Sequence, residues 1–228
     1  MDITHGSIFP KYVSFIIPMM LTYLLQYAFN SADMIVIGQF EGADSLAAVG
    51  STTVLVNLIV NFFAGLSNGV NITVATDYAG EKFDDVSKEV HTAMATGLLG
   101  GVIFGVIGIL SSRPLLTLMQ SPDNVIDLSA AYLFAYYIGM PGLVLYNFSA
   151  AILRAIGDTR RPMNYLIFSG ILNVVLNLFT VIVLGLGVVG VGIATSVSNY
   201  ASAFLTMRAL IKEDSCLKLN LRDIGIQK

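Results

Sequence analysis

The stretch from Ser149 to Asn199, SAAILRAIGDTRRPMNYLIFSGILNVVLNLFTVIVLGLGVVGVGIATSVSN, sets a basic hinge ahead of a long uncharged run. From Pro162 to Met207 no Asp, Glu, Lys or Arg interrupts the chain. A crossing of roughly 30 Å of hydrocarbon takes about 20 residues, so this run has the length for two. Gly185, Gly187, Gly190 and Gly192 mark a turn within it. The run also keeps Asn173, Asn177, Thr195 and Asn199 at helical spacing. Polar side chains retained inside a lipid-crossing helix usually have a use.

The same pattern extends to the whole chain. It is 55% hydrophobic and 12% charged over 228 residues, with a mean hydropathy of +0.77, which excludes a soluble domain. Further uncharged runs cover 12–32, 45–76, 90–112 and 128–153. The expectation is an all-α membrane bundle of six helices, about 12–37, 46–76, 90–112, 126–155, 163–184 and 188–211. Residues 1–212 form the membrane lobe in this reading, and 213–228 a polar cytoplasmic tail or inter-lobe linker. The first apolar stretch exceeds a signal core and lacks a convincing cleavage site, so it is expected to remain as helix 1.

Short loops rich in Lys and Arg stay cytoplasmic. Six spans place Lys11, Lys82, Lys88, Arg154, Arg160, Arg161, Arg208, Lys212, Lys218, Arg222 and Lys228 on one side and Arg113 on the other. Both termini are expected inside the cell, in a plasma or inner membrane. The net charge of -3 says nothing about nucleic acid, because the basic residues are spread over membrane-proximal loops instead of forming a binding face, and nucleic acid is not an expected partner. Cys216, the single cysteine, falls in the expected cytoplasmic tail and reads as an ordinary thiol.

At 100° per residue, Thr22, Gln26, Asn30 and Asp33 fall within an arc of about 80° on helix 1. Thr53, Asn57, Asn61, Asn68 and Asn71 share a similar face of helix 2. Helix 5 carries Asn173 and Asn177, and helix 6 carries Thr195, Asn199, Ser202 and Thr206. These stripes predict a common, water-accessible polar interior. The plainer alternative is that each amide only binds helix to helix, worth about 0.6 kcal/mol per contact. Gln26, Asn30, Asn57, Asn61, Asn68 and Asn147 are the polar candidates for a substrate cavity. Tyr132 and Tyr136 add an aromatic wall suited to flat or cationic guests, with Tyr137 and Met140 beside them.

Asp33 is the only acid well inside a predicted span. An ionised carboxylate at mid-bilayer costs on the order of 2.5–3.5 kcal/mol, so such residues mark ion paths. The functional reading is a group that takes up a proton or an alkali cation and trades it against substrate. The alternative is an interfacial acid at a helix end. Pro18, about four turns earlier, removes a backbone hydrogen bond and permits a hinge. Helix 3 is scaffold: Gly97, Gly101 and Gly105 make a close-packing surface with few polar residues.

Several motifs do not hold. Gly185-x-Gly187-x-x-Gly190 lacks the strand and helix of a dinucleotide site. The chain has no phosphate-binding GxxxxGK[ST] loop, and its histidines are only His5 and His91. No nucleophile, paired catalytic acids or metal set appears, so the expectation is a non-enzyme without a cofactor.

The segments SADMIVIGQF (31–40), LAAVG (46–50), GLSNGVNITVATDYAGE (65–81), LRAIGDTRRPM (153–163) and GVVGVGIAT (187–195) give the chain a family resemblance. It resembles the first half of a multidrug and toxic compound extrusion (MATE) transporter. The resemblance implies a secondary antiporter lobe that exports drugs or organic cations in exchange for Na⁺ or H⁺. It also implies an ion site made of an acid on helix 1, an Asn and an acid one turn apart on helix 5, and a Thr on helix 6. Asp33, Asn173 and Thr195 match those positions, with Asn177 completing a possible Na⁺ site. Asn177 departs from the pattern, since many relatives have Asp there. An amide offers oxygen to Na⁺ but carries no proton at neutral pH, so the resemblance does not extend to a relay of two carboxylates at these positions.

Relatives have twelve helices in two lobes. The resemblance therefore implies a second six-helix partner, either a missing C-terminal half or a homodimer mate, arranged as a parallel repeat. The rival expectations are a non-transporting or incomplete membrane module, and a flippase for lipid or polyprenyl-linked glycan.

Overall fold

The computed structural model describes residues 8–213, 215–220 and 225. His5, Arg222, Lys228 and the side chain of Lys11 lie outside the described residues. Among the described residues seven α-helices follow one another: α1 (Ile8–Phe40), α2 (Ala43–Ala79), α3 (Phe83–Leu118), α4 (Asp123–Ile138), α5 (Met140–Ala155), α6 (Arg160–Leu178) and α7 (Gly187–Ile211). A turn of π-helix, Phe179–Val183, prolongs α6. Five helices, with α4 and α5 counted together as a bent sixth, are long and apolar enough for six crossings.

The helices outrun the expected spans by several residues at their ends. Asp44, Asp84 and Asp85 occupy first turns, where an acid favours the partial positive charge of the exposed N–H groups. Charged turns of this kind extend helices beyond the apolar stretch that sequence hydropathy detects.

The fourth expected helix, 126–155, is broken. α4 and α5 meet at 47° around Gly139. Pro141 has no N–H to give the carbonyl of Tyr137, and its ring crowds that preceding turn. Hydroxyls from α7 meet the carbonyls exposed near the break. Ser196 Oγ donates to Ala135 O at 2.5 Å, and Tyr200 Oη donates to Ile138 O at 2.7 Å. Gly139 is required by this approach, because a Cβ there would stand 2.6 Å from the Cα of Ser196.

Helix α3 is the scaffold expected of its glycine row. A Cβ on Gly101 would meet Pro141 Cα at 2.7 Å, and one on Gly108 would meet the Tyr137 ring at 2.8 Å. The opposite face, with Leu99, Val102, Ile103, Val106 and Leu110, is exposed and wholly apolar, as a lipid-facing surface should be. Gly185 and Gly187 form the expected turn with φ of 61° and 54°. Gly190 and Gly192 lie instead within α7, packed against Thr180 and Ala135.

At the basic end, the hinge between α5 and α6 is tied down. Arg161 pairs with Asp158, whose Oδ1 also accepts the Arg161 N–H at 3.1 Å, and its Nη1 reaches Glu213 at 2.7 Å. The segment after α7 is partly packed: Leu217 and Leu219 are buried, and Leu219 N–H donates to Leu210 O at 3.1 Å. Asn220 N–H donates to His91 Nε2 at 3.1 Å, so packing continues beyond the lobe boundary expected at 212. The half-buried Cys216 thiol, outside the spans, is raised above its ordinary pKa by burial.

Candidate functional site

Four polar side chains from three helices close a ring in the interior. Asn177 Nδ2 donates to Asp33 Oδ1 at 2.5 Å and to Asn173 Oδ1 at 3.2 Å. Asn173 Nδ2 donates to Thr195 Oγ1 at 3.2 Å. Thr195 Oγ1 lies 3.5 Å from Asp33 Oδ2, a long contact, and donates at 2.9 Å to Val191 O. Asp33, Asn173 and Asn177 are buried, and Thr195 is half-buried.

The local sequence builds this arrangement simply. Asn173 and Asn177 are one turn apart on α6 and project together. Thr195 stands on α7 just beyond the Gly-rich turn that brings α7 back beside α6. The π turn begins two residues after Asn177. There Thr180 is buried, and its Oγ1 donates to Leu176 O at 2.8 Å. Wide turns of this type are frequent at functional sites. Nothing in the apolar sequence around it announced either the turn or Thr180.

Chemically, the ring offers one carboxylate, two amide oxygens and a hydroxyl, a set of hard oxygen donors. Asn177 Oδ1 is buried and has no hydrogen-bond partner in the protein. Leaving such an oxygen unpaired costs about 1–3 kcal/mol, an expense that buried groups seldom carry without a reason. Among the described residues, no group of three or more His, Cys, Asp or Glu side chains is placed for a transition metal.

Tyr132 and Tyr136, one turn apart on α4 with ring centroids 6.0 Å apart, are buried. Tyr137 faces α3 as core, and Met140 is fully buried.

The remaining stripes do not converge on this interior. Asn30 on α1 and Asn57, Asn61 and Asn68 on α2 are exposed on the outside of the lobe, and Gln26 is half-buried. The expected single polar interior is thus two features, a closed buried ring and an open outer stripe. Exposed amides facing lipid tails have no partner there, so the stripe needs water or another protein surface. Asn147 is half-buried and donates to Leu143 O of its own helix at 2.9 Å. Asn71 crosses to Ala151 O at 2.8 Å, the helix-to-helix use of an amide. Ser202 and Thr206 bond back to their own helix.

Pro18 lies inside α1, buried, and Thr22 Oγ1 donates to its carbonyl at 2.7 Å. Pro18 also lines a cleft of about 480 Å³ with Phe9, Val13, Ser14, Ile17 and Arg160.

Known proteins align with these features. The MatE family model matches residues 18–179. The chain is 32% identical to the probable multidrug resistance protein YpnP of Bacillus subtilis (strain 168) over 203 residues, 87% of this chain and 44% of that protein. It is 31% identical to the probable multidrug resistance protein YoeA of the same organism over 212 residues, 90% of this chain and 45% of that protein. A crystal structure of MATE in the bent conformation superimposes with a TM-score of 0.87 and 27% identity, covering 96% of this chain and 49% of that one. The chain therefore spans about half the length of the curated relatives it matches.

Proposed function

The chain belongs to the MatE family, and from that premise we propose that it is the N-terminal lobe of a secondary multidrug efflux antiporter. It exports drugs or organic cations in exchange for Na⁺ or H⁺ taken up at Asp33. The observation that carries this reading is the buried ring of Asp33, Asn173, Asn177 and Thr195, with the Asn177 oxygen unpaired. A ring used only for packing would satisfy its own atoms. This one holds a single carboxylate beside a buried amide oxygen with no hydrogen-bond donor in the protein.

The ring has two electrostatic states. Without an ion, the Asp33 carboxylate is held by the Asn177 amide, with the Thr195 hydroxyl at a longer 3.5 Å. Loaded, a proton or Na⁺ cancels its charge. Rotating the Asn177 amide by 180° would turn the unpaired oxygen inward to share the load. The ion drives a conformational change only to the extent that it binds the two states differently. Helix α1, carrying both Asp33 and the Pro18 hinge, is the element whose position that difference biases.

Substrate occupies a cleft lined by the outer stripe of Gln26, Asn30, Asn57, Asn61 and Asn68, with Tyr132, Tyr136 and Asn147 as its deeper wall. The cleft closes against a second six-helix unit, either the C-terminal half of a longer chain or a second copy. The one-sided distribution of basic residues supports both termini in the cytoplasm, and a second unit would then enter the membrane in the same sense.

The test is export of a cationic dye from cells producing the parent or Asp33→Asn transporter at equal membrane levels. Loss of gradient-driven export in the variant is the expected result; unchanged export contradicts the assignment.

A further inference from the structure

Asp33 stands on the helix with the weakest hold on the bundle. In the most apolar 18-residue window of α1 only 11% of residues are buried, against 50% in α7. Before Asp33, Tyr23, Leu24 and Tyr27 are exposed; beyond it, Val36 and Ile37 are buried. No residue of α1 between Thr22 and Asp33 is buried, so the half-buried residues of that stretch, Phe29 among them, are what hold the carboxylate on the approach side.

One turn before Asp33, on the same face, is Phe29. Its ring lies directly over the Cα of Gly170 on α6. A Cβ built on Gly170 would fall within the ring's own volume, and its three nearest atoms would all belong to Phe29. Gly170 is buried and shares a face of α6 with Asn173 and Asn177, at i, i+3 and i+7. Helices α1 and α6 are the first and fifth crossings and run in the same direction. Phe29 over Gly170 and Asp33 against Asn177 are thus successive steps of one helix–helix seam.

We propose that Phe29 and Gly170 are a positioning pair: the ring seated in the glycine notch sets the height and rotation of α1 so that Asp33 meets Asn177 and Thr195. This rests on reading Asp33 as the ion-coupling carboxylate. Only glycine leaves room for the ring, because any side chain at 170 occupies the space the ring fills. Phe29 is half-buried, so an added methyl displaces the outer end of a side chain and leaves the backbone of the bundle in place. Gly170→Ala therefore yields a folded lobe whose Asp33 is no longer held in register.

The experiment reads Asp33 itself. Dicyclohexylcarbodiimide, which modifies carboxyl groups in apolar surroundings, is applied to the full chain in detergent, and labelling at Asp33 is followed by peptide mass spectrometry across NaCl concentration and pH. Residues in contact are energetically coupled, so Gly170→Ala and Phe29→Ala should each change the labelling rate at Asp33 by about twofold or more. Each should also shift the NaCl or proton concentration at which labelling is half-changed. Because both variants break one contact, the double variant should go little further than the larger single effect. Thermal unfolding close to that of the parent shows that the fold is intact. Labelling rates and midpoints equal to the parent's in both single variants would overturn the pair, and so would strictly additive effects. If the parent's labelling ignores both NaCl and pH while the variants still change its rate, the positioning role stands and the ion-coupling reading of Asp33 falls.

Discussion

Asn177→Asp is the perturbation whose consequence follows most directly from the ring. Asn177 Nδ2 sits 2.5 Å from Asp33 Oδ1, so a carboxylate at 177 would set two negative charges with centres about 4 Å apart. At an effective dielectric constant of 20 their repulsion is about 4 kcal/mol, close to a thousandfold in population. The doubly ionised empty ring is therefore nearly absent in the variant, and the pair titrates as a unit that always holds at least one proton or cation. The parent ring has one carboxylate to neutralise and the variant has two. Difference titration of purified protein, counting protons and Na⁺ bound per chain at ion concentrations where the parent ring has emptied, should give one more bound ion in Asn177→Asp than in the parent. An unchanged count would refute the geometry, since it would mean that position 177 does not share Asp33's charge.

Other expectations follow from packing and exposure. Gly101→Ala forces a methyl to 2.7 Å from the Pro141 backbone, which cannot swing aside, whereas Gly97→Ala meets the Phe148 ring at 3.2 Å. Thermal unfolding should show Gly101→Ala losing about 1–3 kcal/mol and Gly97→Ala less. Ser196→Ala withdraws a donor from the Ala135 carbonyl at the α4–α5 bend and should lose about 1–3 kcal/mol in the same assay. With Cys216 replaced by Ser, single cysteines at Asn57, Asn61 and Asn68 should react with a membrane-impermeant thiol reagent, while one at Asn177 should not. Uniform protection along α2 would show that the outer stripe faces no water.

Much of this was legible in the sequence because hydropathy reports crossings and a 100° repeat reports shared faces. The pattern of Asp33, Asn173, Asn177 and Thr195 was visible as polar stripes, and these residues meet in the ring. The same repeat on α2 was equally clear, yet its asparagines are exposed. Periodicity states which residues share a face and is silent on what that face meets. The break at Gly139 was hidden inside an uncharged run, although Gly139-Met140-Pro141 carries the signal of a helix that stops and restarts. The buried part of the tail also left a trace. Leu217 and Leu219 alternate with Lys218 and Asn220, a pattern outweighed by the polar composition of the segment. The π turn after Asn177 left none, since its sequence, Phe179–Val183, is an apolar run broken only by Thr180.

The most direct test of Asp33 as the coupling group is infrared difference spectroscopy of the purified chain in lipid, between ion-free and Na⁺- or proton-loaded samples. A carboxyl band that changes on loading in the parent and is missing from the difference spectrum of Asp33→Asn is the predicted result. Identical difference spectra for parent and variant would contradict the assignment, because the ion would then be held elsewhere.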